Sequence, residues 1–167
     1  MEVLKNLFLN WVVPIALLLS VLWLMQLLRE PPVQVGDGGQ APAFTLVNTD
    51  GDAVSLADYA GKDVIINFWG TWCGPCKAEL PGLNRFASRN PEVVVLGIAV
   101  DSGGPKVLKR AKEQLKIPFE VLQNKDAVQR AYGVSTLPTT FHVDEQGVLT
   151  KSHVGIITPM QLAAWVR

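Results

Sequence analysis

Cysteine is scarce in this sequence of 167 residues, which contains only Cys73 and Cys76. Two cysteines cannot build the set of bridges that stabilises a small secreted scaffold. A bridge between these positions would close a very small loop and so contribute little entropic stabilisation. The pair therefore indicates reactive thiols or metal ligands more than a structural crosslink.

An excess of charge of either sign is also missing, because 15 basic residues balance 15 acidic ones. Proteins that bind nucleic acids usually carry a basic patch or a basic excess. The composition gives no indication of such a surface, so we expect no nucleic-acid partner.

Charged residues are absent from a long apolar run at positions 7–28. A helix of this length extends roughly 33 Å, enough for a hydrocarbon core of about 30 Å. A cleaved signal peptide has a shorter apolar region followed by small residues, whereas this run ends in Leu28, Arg29 and Glu30. We therefore predict an uncleaved anchor in residues 1–30. Lys5 and Arg29 flank the run on either side and leave its orientation open.

Proline and glycine dominate residues 31–40, which are predicted to be a linker to a globular domain at 41–167. Strand and helix patterns alternate through this domain and predict a layered α/β fold with a mixed sheet. The predicted elements are a hairpin around Asp50-Gly51, strands at 64–69, 93–100 and 119–123, helices at 73–88, 105–116 and 126–132, a hairpin of 139–143 with 148–154, and a last helix from Pro159.

The two cysteines lie where the strand at 64–69 is predicted to turn into a helix. Unpaired N–H groups and the helix dipole favour an anion at that point, so the pKa of Cys73 is expected to be lowered. Cys73 would attack a disulfide, and Cys76, one helical turn later, would resolve the mixed disulfide and leave a Cys73–Cys76 bridge. Gly74 permits close approach of a substrate, and Pro75 suits the first helical turn.

The stretches "FWGTWCGPCKAELP" and "VSTLPTTF" together resemble the thioredoxin superfamily. The first is closer to the membrane-anchored, TlpA/ResA-like thiol–disulfide oxidoreductases. This resemblance covers about residues 41–167 and implies a thioredoxin fold with an N-terminal hairpin and an added helix–strand–helix segment at 104–132. It also implies a cytoplasmic N-terminus and a catalytic domain in the periplasm or outside the cell.

Asn67 stands where thioredoxin itself usually has a buried aspartate that accepts a proton. The TlpA/ResA-like branch resembles this chain in having a glutamate three residues after the second cysteine, here Glu79. At this helical spacing Glu79 could take the proton from Cys76, and the alternative is an ordinary surface residue.

Pro138 matches the cis-proline that faces the active site in the superfamily. The resemblance therefore implies a cis bond between Leu137 and Pro138, with the backbone of Leu137 beside Cys73 as a place where substrate pairs. Trp72 is expected to shield Cys73 and to contact substrate, whereas Trp69 could be mere packing.

The predicted function is an enzyme that reduces disulfides in extracytoplasmic proteins without a cofactor. Family resemblance implies electrons from a transmembrane thiol reductase, and clients such as apocytochrome c during cytochrome c biogenesis or proteins that assemble metal sites. A disulfide oxidase or isomerase of the same fold is the nearest alternative.

A copper- or zinc-binding delivery module is a further alternative, with His142 and His153 beside the cysteines as a ligand set. The loop spacing usual for such sites is missing, so we predict no metal and solvent-facing strand histidines. The lysines and arginines at 106–116 could dock an acidic partner, or simply form a solvated helix face.

Overall fold

The computed structural model describes residues 11–27, 38–100 and 103–166. The chain divides into two compact units, Met1–Pro31 and Pro32–Arg167. In the first unit, helix α1 spans Val13–Leu27. Residues 7–10 and 28 of the predicted spanning helix lie outside the described residues. Among those that are described, no helix combines the length and the apolar character needed to cross a membrane.

The second unit is built on a sheet of seven strands. The strands are β1 (Thr45–Asn48), β2 (Ala53–Ser55), β3 (Val64–Trp69), β4 (Val94–Ala99), β5 (Glu120–Gln123), β6 (Thr139–Val143) and β7 (Leu149–Val154). Their order across the sheet is β2-β1-β5-β4-β3-β6-β7. The strand pairs β3–β4 and β4–β5 are parallel, whereas the other four pairs are antiparallel. The predicted mixed sheet is therefore confirmed.

Helices cover both faces of this sheet. They are α2 (Gly74–Arg89), α3 (Pro105–Gln114), α4 (Asp126–Ala131) and α5 (Pro159–Trp165), with a 3₁₀ helix at Leu56–Tyr59. On one face, Leu80 of α2, Leu108 of α3 and Leu162 of α5 pack in a single apolar core. On the other face, Phe44, Phe68, Tyr132 and Phe141 belong to a second core.

Strand β3 is buried along its whole length, as its apolar composition predicts. Its side chains alternate between the two cores: Ile65 and Trp69 face the α2 side, whereas Ile66 and Phe68 face the other. Asn67 shares the α2 side with Ile65 and Trp69 because successive strand residues point to opposite faces. This register places a polar side chain under the helix that carries the cysteines.

Most predicted boundaries agree with the structure to within two residues. Helix α2 begins at Gly74, with Cys73 as its N-cap, and it contains Pro81. Two residues of the predicted linker contact the start of β7: Gly39 O accepts from Leu149 N at 3.0 Å, and Gln40 forms a β-bridge with Val148, the residue before this strand. Ordered contacts of the domain thus begin before Ala41, and linker residues 31–37 lie outside the described residues.

The prediction of solvent-facing histidines is wrong for His142, which is buried. Strand β6 lies between β3 and β7, and all five of its residues are buried. His153 is half-buried on β7, at the edge of the sheet. A period-two pattern could not reveal that β6 is covered on both faces.

Candidate active site

The two cysteines lie at the turn from β3 into α2 and are joined in a disulfide, with their Cα atoms 5.3 Å apart. Cys73 N donates to Gly70 O at 3.1 Å, which closes the turn. Cys73 Sγ caps the helix by accepting from Cys76 N at 3.2 Å. A free thiolate at Cys73 would therefore receive a backbone N–H and the positive end of the helix dipole, which both stabilise the charged form.

The two cysteines differ in how deeply they are buried. Cys73 keeps 5% of its surface exposed, whereas Cys76 has none. Cys73 lines a surface hollow of about 350 Å³, and Cys76 is not part of its lining. An incoming disulfide can thus reach Cys73 first, and Cys76 can react only from inside.

The hollow around Cys73, termed the cysteine hollow below, collects most of the predicted substrate-binding residues. Its lining consists of Trp72, Cys73, Gly74, Pro75, Val100, Gln129, Ser135 and Leu137. Trp72 is 63% exposed and offers a large apolar contact beside Cys73. The Leu137–Pro138 bond is cis, as the resemblance implied. Pro138, the residue after Leu137, is buried and is not part of this lining.

Sequence reasoning missed three residues of the cysteine hollow: Val100, Gln129 and Ser135. Ser135 lies two residues before Leu137, so the "VSTLP" motif could have indicated it. Gln129 is on α4, where its side chain accepts from Asn124 Nδ2 and donates to Val134 O. No local pattern distinguishes it from other polar helix residues, because only the packing of α4 brings it near Cys73.

Glu79 lies on α2, one helical turn after Cys76, and is 3% exposed. Both carboxylate oxygens accept hydrogen bonds: Oε1 from Asn67 Nδ2 at 2.8 Å, and Oε2 from Ile157 N at 3.1 Å. Residues three apart on a helix are neighbours, so this carboxylate faces the same side as Cys76. The interpretation of Glu79 as an ordinary surface residue is wrong.

Burial raises the pKa of Glu79 above its ordinary value, because it disfavours the charged form. The hydrogen bonds from Asn67 and from the backbone of Ile157 oppose this change, as does the charge of His153. A carboxyl group with a raised pKa is suited to accept a thiol proton and to return it later.

Asn67 on strand β3 links Glu79 on helix α2 to the neighbouring strand β6. Its Nδ2 donates to Glu79 Oε1 and also to Thr140 Oγ1 at 3.0 Å, across the β3–β6 register pair. Its Oδ1 is buried and has no hydrogen-bond partner in the described part of the chain. Asn67 therefore orients the carboxylate of Glu79, in the place where thioredoxin itself has an acid.

The two histidines lie apart from this arrangement. His142 Nε2 contacts Asp63 Oδ1 at 2.7 Å, and its Nδ1 contacts Thr150 Oγ1 at 2.6 Å. His153 Nε2 contacts the backbone oxygen of Ile156 at 3.1 Å. Over residues 11–27, 38–100 and 103–166, no group of three or more His, Cys, Asp or Glu side chains is arranged to hold a metal ion.

A mixed sheet with a Cys-x-x-Cys pair at the start of a helix and a cis-proline beside it defines the thioredoxin-like thiol–disulfide oxidoreductases. The model of the AhpC/TSA family matches residues 38–152, and the chain belongs to this family.

Sequence relatives agree with this assignment. The chain is 40% identical to the thiol-disulfide oxidoreductase ResA of Geobacillus thermodenitrificans, over 74% of this chain and 72% of the relative. It is 31% identical to the thioredoxin-like protein YneN of Bacillus subtilis, over 92% and 94%. The solved structure of the exposed lipoprotein thioredoxin Etrx1 of Streptococcus pneumoniae is similar, with a TM-score of 0.67 and 28% identity over 74% of this chain and 96% of that one. The chain is a thiol–disulfide oxidoreductase of thioredoxin type.

Proposed function

We propose that this chain reduces disulfides in extracytoplasmic proteins, with Cys73 as nucleophile, Cys76 as resolving thiol and Glu79 as proton acceptor. The observation that carries the proposal is a buried carboxylate of raised pKa, one helical turn from a fully buried Cys76. Such a carboxylate gives Cys76 a base where water has no access.

The reaction starts from the reduced pair. The Cys73 thiolate attacks one sulfur of the client disulfide, whose S–S bond breaks and releases one client thiolate. Cys76 then gives its proton to Glu79 and attacks Cys73 Sγ. The mixed disulfide breaks, the second client thiolate leaves, and two electrons have passed to the client. After this reaction the enzyme carries the Cys73–Cys76 disulfide that is present in the structure.

The client would lie in the cysteine hollow. Trp72 offers an apolar face, and Gly74 and Pro75 leave the approach to Cys73 open. The backbone of Leu137, next to the cis-bonded Pro138, provides amide groups with which an extended client segment can pair as an added strand.

The direction of transfer is inferred from the residues between the cysteines. Gly74 and Pro75 are the pair found in thioredoxin, whose potential is about −270 mV and which acts as a reductant. In an oxidising compartment such an enzyme needs a donor, for which we propose a transmembrane thiol reductase.

Apocytochrome c and metal-site assembly proteins are the proposed clients. A thioredoxin dedicated to cytochrome c maturation has "GVxGxPE" before and after its proline, whereas this chain has "GVSTLPT" at 133–139. The departure favours clients beyond cytochrome c alone.

We further propose that residues 1–30 anchor the catalytic domain at the cytoplasmic membrane, through a helix at about 7–28 and a linker at 31–40. The uncharged run supports this proposal. The similarity to Etrx1, an exposed lipoprotein, is consistent with a domain outside the cytoplasm. In spheroplasts, a membrane-impermeant thiol reagent should label the reduced Cys73, and labelling only after lysis would contradict this location.

Trapping tests the reaction. Cys76→Ser should leave Cys73 covalently bound to clients in cells, whereas the double variant Cys73→Ser/Cys76→Ser should capture none. Equilibration of the full chain with dithiothreitol should give a potential near that of thioredoxin. A potential near −120 mV, which is typical of strong oxidants, would instead support the oxidase alternative.

A further inference from the structure

A second hollow lies beside the active-site turn and has no part in the reaction described so far. It has a volume of about 290 Å³ and is lined by Thr71, Lys77, Val107, Arg110, Ala111, Gln114 and Leu115. Because Lys77 and Arg110 are the cations in this lining, we call it the cationic hollow. It is bounded by the turn before Cys73, the first turns of α2, and α3.

The cationic hollow adjoins the reacting sulfur through two neighbours in the chain. Lys77 follows Cys73 by one helical turn, and its N–H donates to Cys73 O at 3.2 Å. Thr71 is separated from Cys73 only by Trp72, which lines the cysteine hollow. A client segment that crosses Cys73 can therefore reach both hollows.

The cationic hollow combines two positive charges with an apolar surface. Lys77 and Arg110 are exposed, and neither forms an ion pair within the described ranges. Lys109, the neighbour of Arg110, is instead bound to Asp50 at 2.8 Å. Val107 is 41% exposed, and Ala111 and Leu115 are partly buried against the core below. The site thus offers two free cations above an apolar floor.

We propose that the cationic hollow recognises an acidic segment of the client, with a carboxylate between Lys77 and Arg110 and an apolar side chain on Val107. The inference rests on the proposed function and names a feature of the substrates that the enzyme prefers. Arg110 can bind a carboxylate through two parallel hydrogen bonds, whereas Lys77 acts as a point charge.

The dimensions of the hollow favour a peptide over other anionic partners. Its volume lies just below the range of about 300–1,000 Å³ that is typical of small-molecule sites, so it fits one or two side chains better than a cofactor. A membrane surface docked here would cover the turn that carries Cys73. A client chain, in contrast, must cross this turn during the reaction.

Two disulfide peptides provide the test. They share one disulfide-closed ring, and the flanking residues are Glu-Leu-Glu in one and Lys-Leu-Lys in the other. The full chain, kept in detergent and reduced beforehand, is mixed with increasing concentrations of each peptide, and its oxidation is followed by tryptophan fluorescence. Hydroxyethyl disulfide, which is small and uncharged, reports the basal reaction.

We expect an apparent Kd about tenfold lower for the acidic peptide than for the basic one, with similar limiting rates. Lys77→Glu/Arg110→Glu should abolish this preference, which is a ratio of two peptides within one variant and so does not depend on a change in the rate with hydroxyethyl disulfide. The matched control is Arg85→Glu/Arg89→Glu, which makes the same change of charge at the far end of α2 and should keep the preference. Added salt should weaken the preference in the wild type.

Equal apparent Kd values for the two peptides in the wild type would overturn the proposal. A loss of preference as large in the Arg85/Arg89 control would also overturn it, since general charge attraction would then be sufficient. Failure to react with hydroxyethyl disulfide would contradict the proposed function instead. In that case the cationic hollow is still tested by fluorescence anisotropy of labelled peptides whose cysteines are replaced by serine, with the same order of affinities expected.

Discussion

Two polar clusters on the α2 face of the sheet each contain a residue of strand β6, and they differ in how completely their polar atoms are hydrogen-bonded. The glutamate cluster consists of Asn67, Glu79 and Thr140, and the histidine cluster of Asp63, His142 and Thr150. Thr140 and His142 are two residues apart on β6, where they lie opposite Asn67 and Ile65 of β3.

The histidine cluster is satisfied, because both ring nitrogens of His142 have partners and Asp63 keeps 27% of its side chain exposed to water. The glutamate cluster is sealed, its carboxyl group has a raised pKa, and Asn67 Oδ1 has no partner among residues 38–100 and 103–166. Complete hydrogen bonding of buried polar groups stabilises a fold. A buried carboxyl group with a raised pKa can instead accept a proton during a reaction. We therefore propose a structural role for the histidine cluster and a role in proton transfer for the glutamate cluster.

Of the variants considered, Glu79→Gln should have the largest effect, which is on the rate at which the mixed disulfide is resolved. The amide cannot accept a proton from Cys76, so we expect resolution of the mixed disulfide to slow about 100-fold at neutral pH. Stopped-flow measurement of client release from a preformed Cys73 mixed disulfide isolates this step. A rate within about twofold of the wild type, in a folded variant, would remove Glu79 from the mechanism.

His142→Leu should lower the stability of the fold and leave the resolution rate nearly unchanged. It removes two hydrogen bonds: Asp63 loses its contact with the ring, and Thr150 keeps only its 3.4 Å hydrogen bond to the backbone oxygen of residue 142. The free energy of unfolding should therefore fall by about 2 kcal/mol. Urea denaturation measures this loss. The resolution rate of the folded variant should stay close to the wild-type value, and a loss comparable to that of Glu79→Gln would mean that the two clusters share one role.

Asn67→Asp sharpens the comparison by adding a charge to the sealed cluster. Two carboxyl groups would then face each other across the 2.8 Å contact between Asn67 and Glu79. Like charges at this distance raise a pKa further, so the free energy of unfolding at pH 7 should fall by about 1–2 kcal/mol and recover on acidification.

Asn67→Ala is the matched control for that charge, because it removes the donor and adds no carboxylate. Its loss of stability should not depend on acidification in the same way. If both variants recovered equally at low pH, the repulsion between carboxylates would not be the cause.

The sequence was sufficient to predict the cysteine pair, the turn that carries it, and strand β3, because each depends on local chemistry. The apolar run at 64–69 could only be buried, and a proline two residues after Cys73 is typical of a helix start. The cis bond before Pro138 was predictable from the resemblance alone.

The partners within the two clusters were not predictable, because they come from distant parts of the chain. Ile157 donates to Glu79 from 78 residues away, and Asp63 contacts His142 from 79. Neither has a sequence pattern that marks it. The burial of His142 likewise depends on β6 being an inner strand between β3 and β7, which strand periodicity does not report.

The smallest effect that we expect is on the pH dependence of stability, and it depends on Glu79. Burial raises the pKa of Glu79 in the folded chain above its ordinary value of 4.5. The folded state therefore holds this proton after the unfolded state has lost it, so the contribution is full below about pH 4.5 and is lost as pH rises through the folded pKa. Urea denaturation between pH 4 and 8 should show a decline in the free energy of unfolding of the wild type relative to Glu79→Gln. Because His142→Leu keeps Glu79, it should retain this decline, and a decline that disappears in His142→Leu but persists in Glu79→Gln would place the titrating group in the histidine cluster.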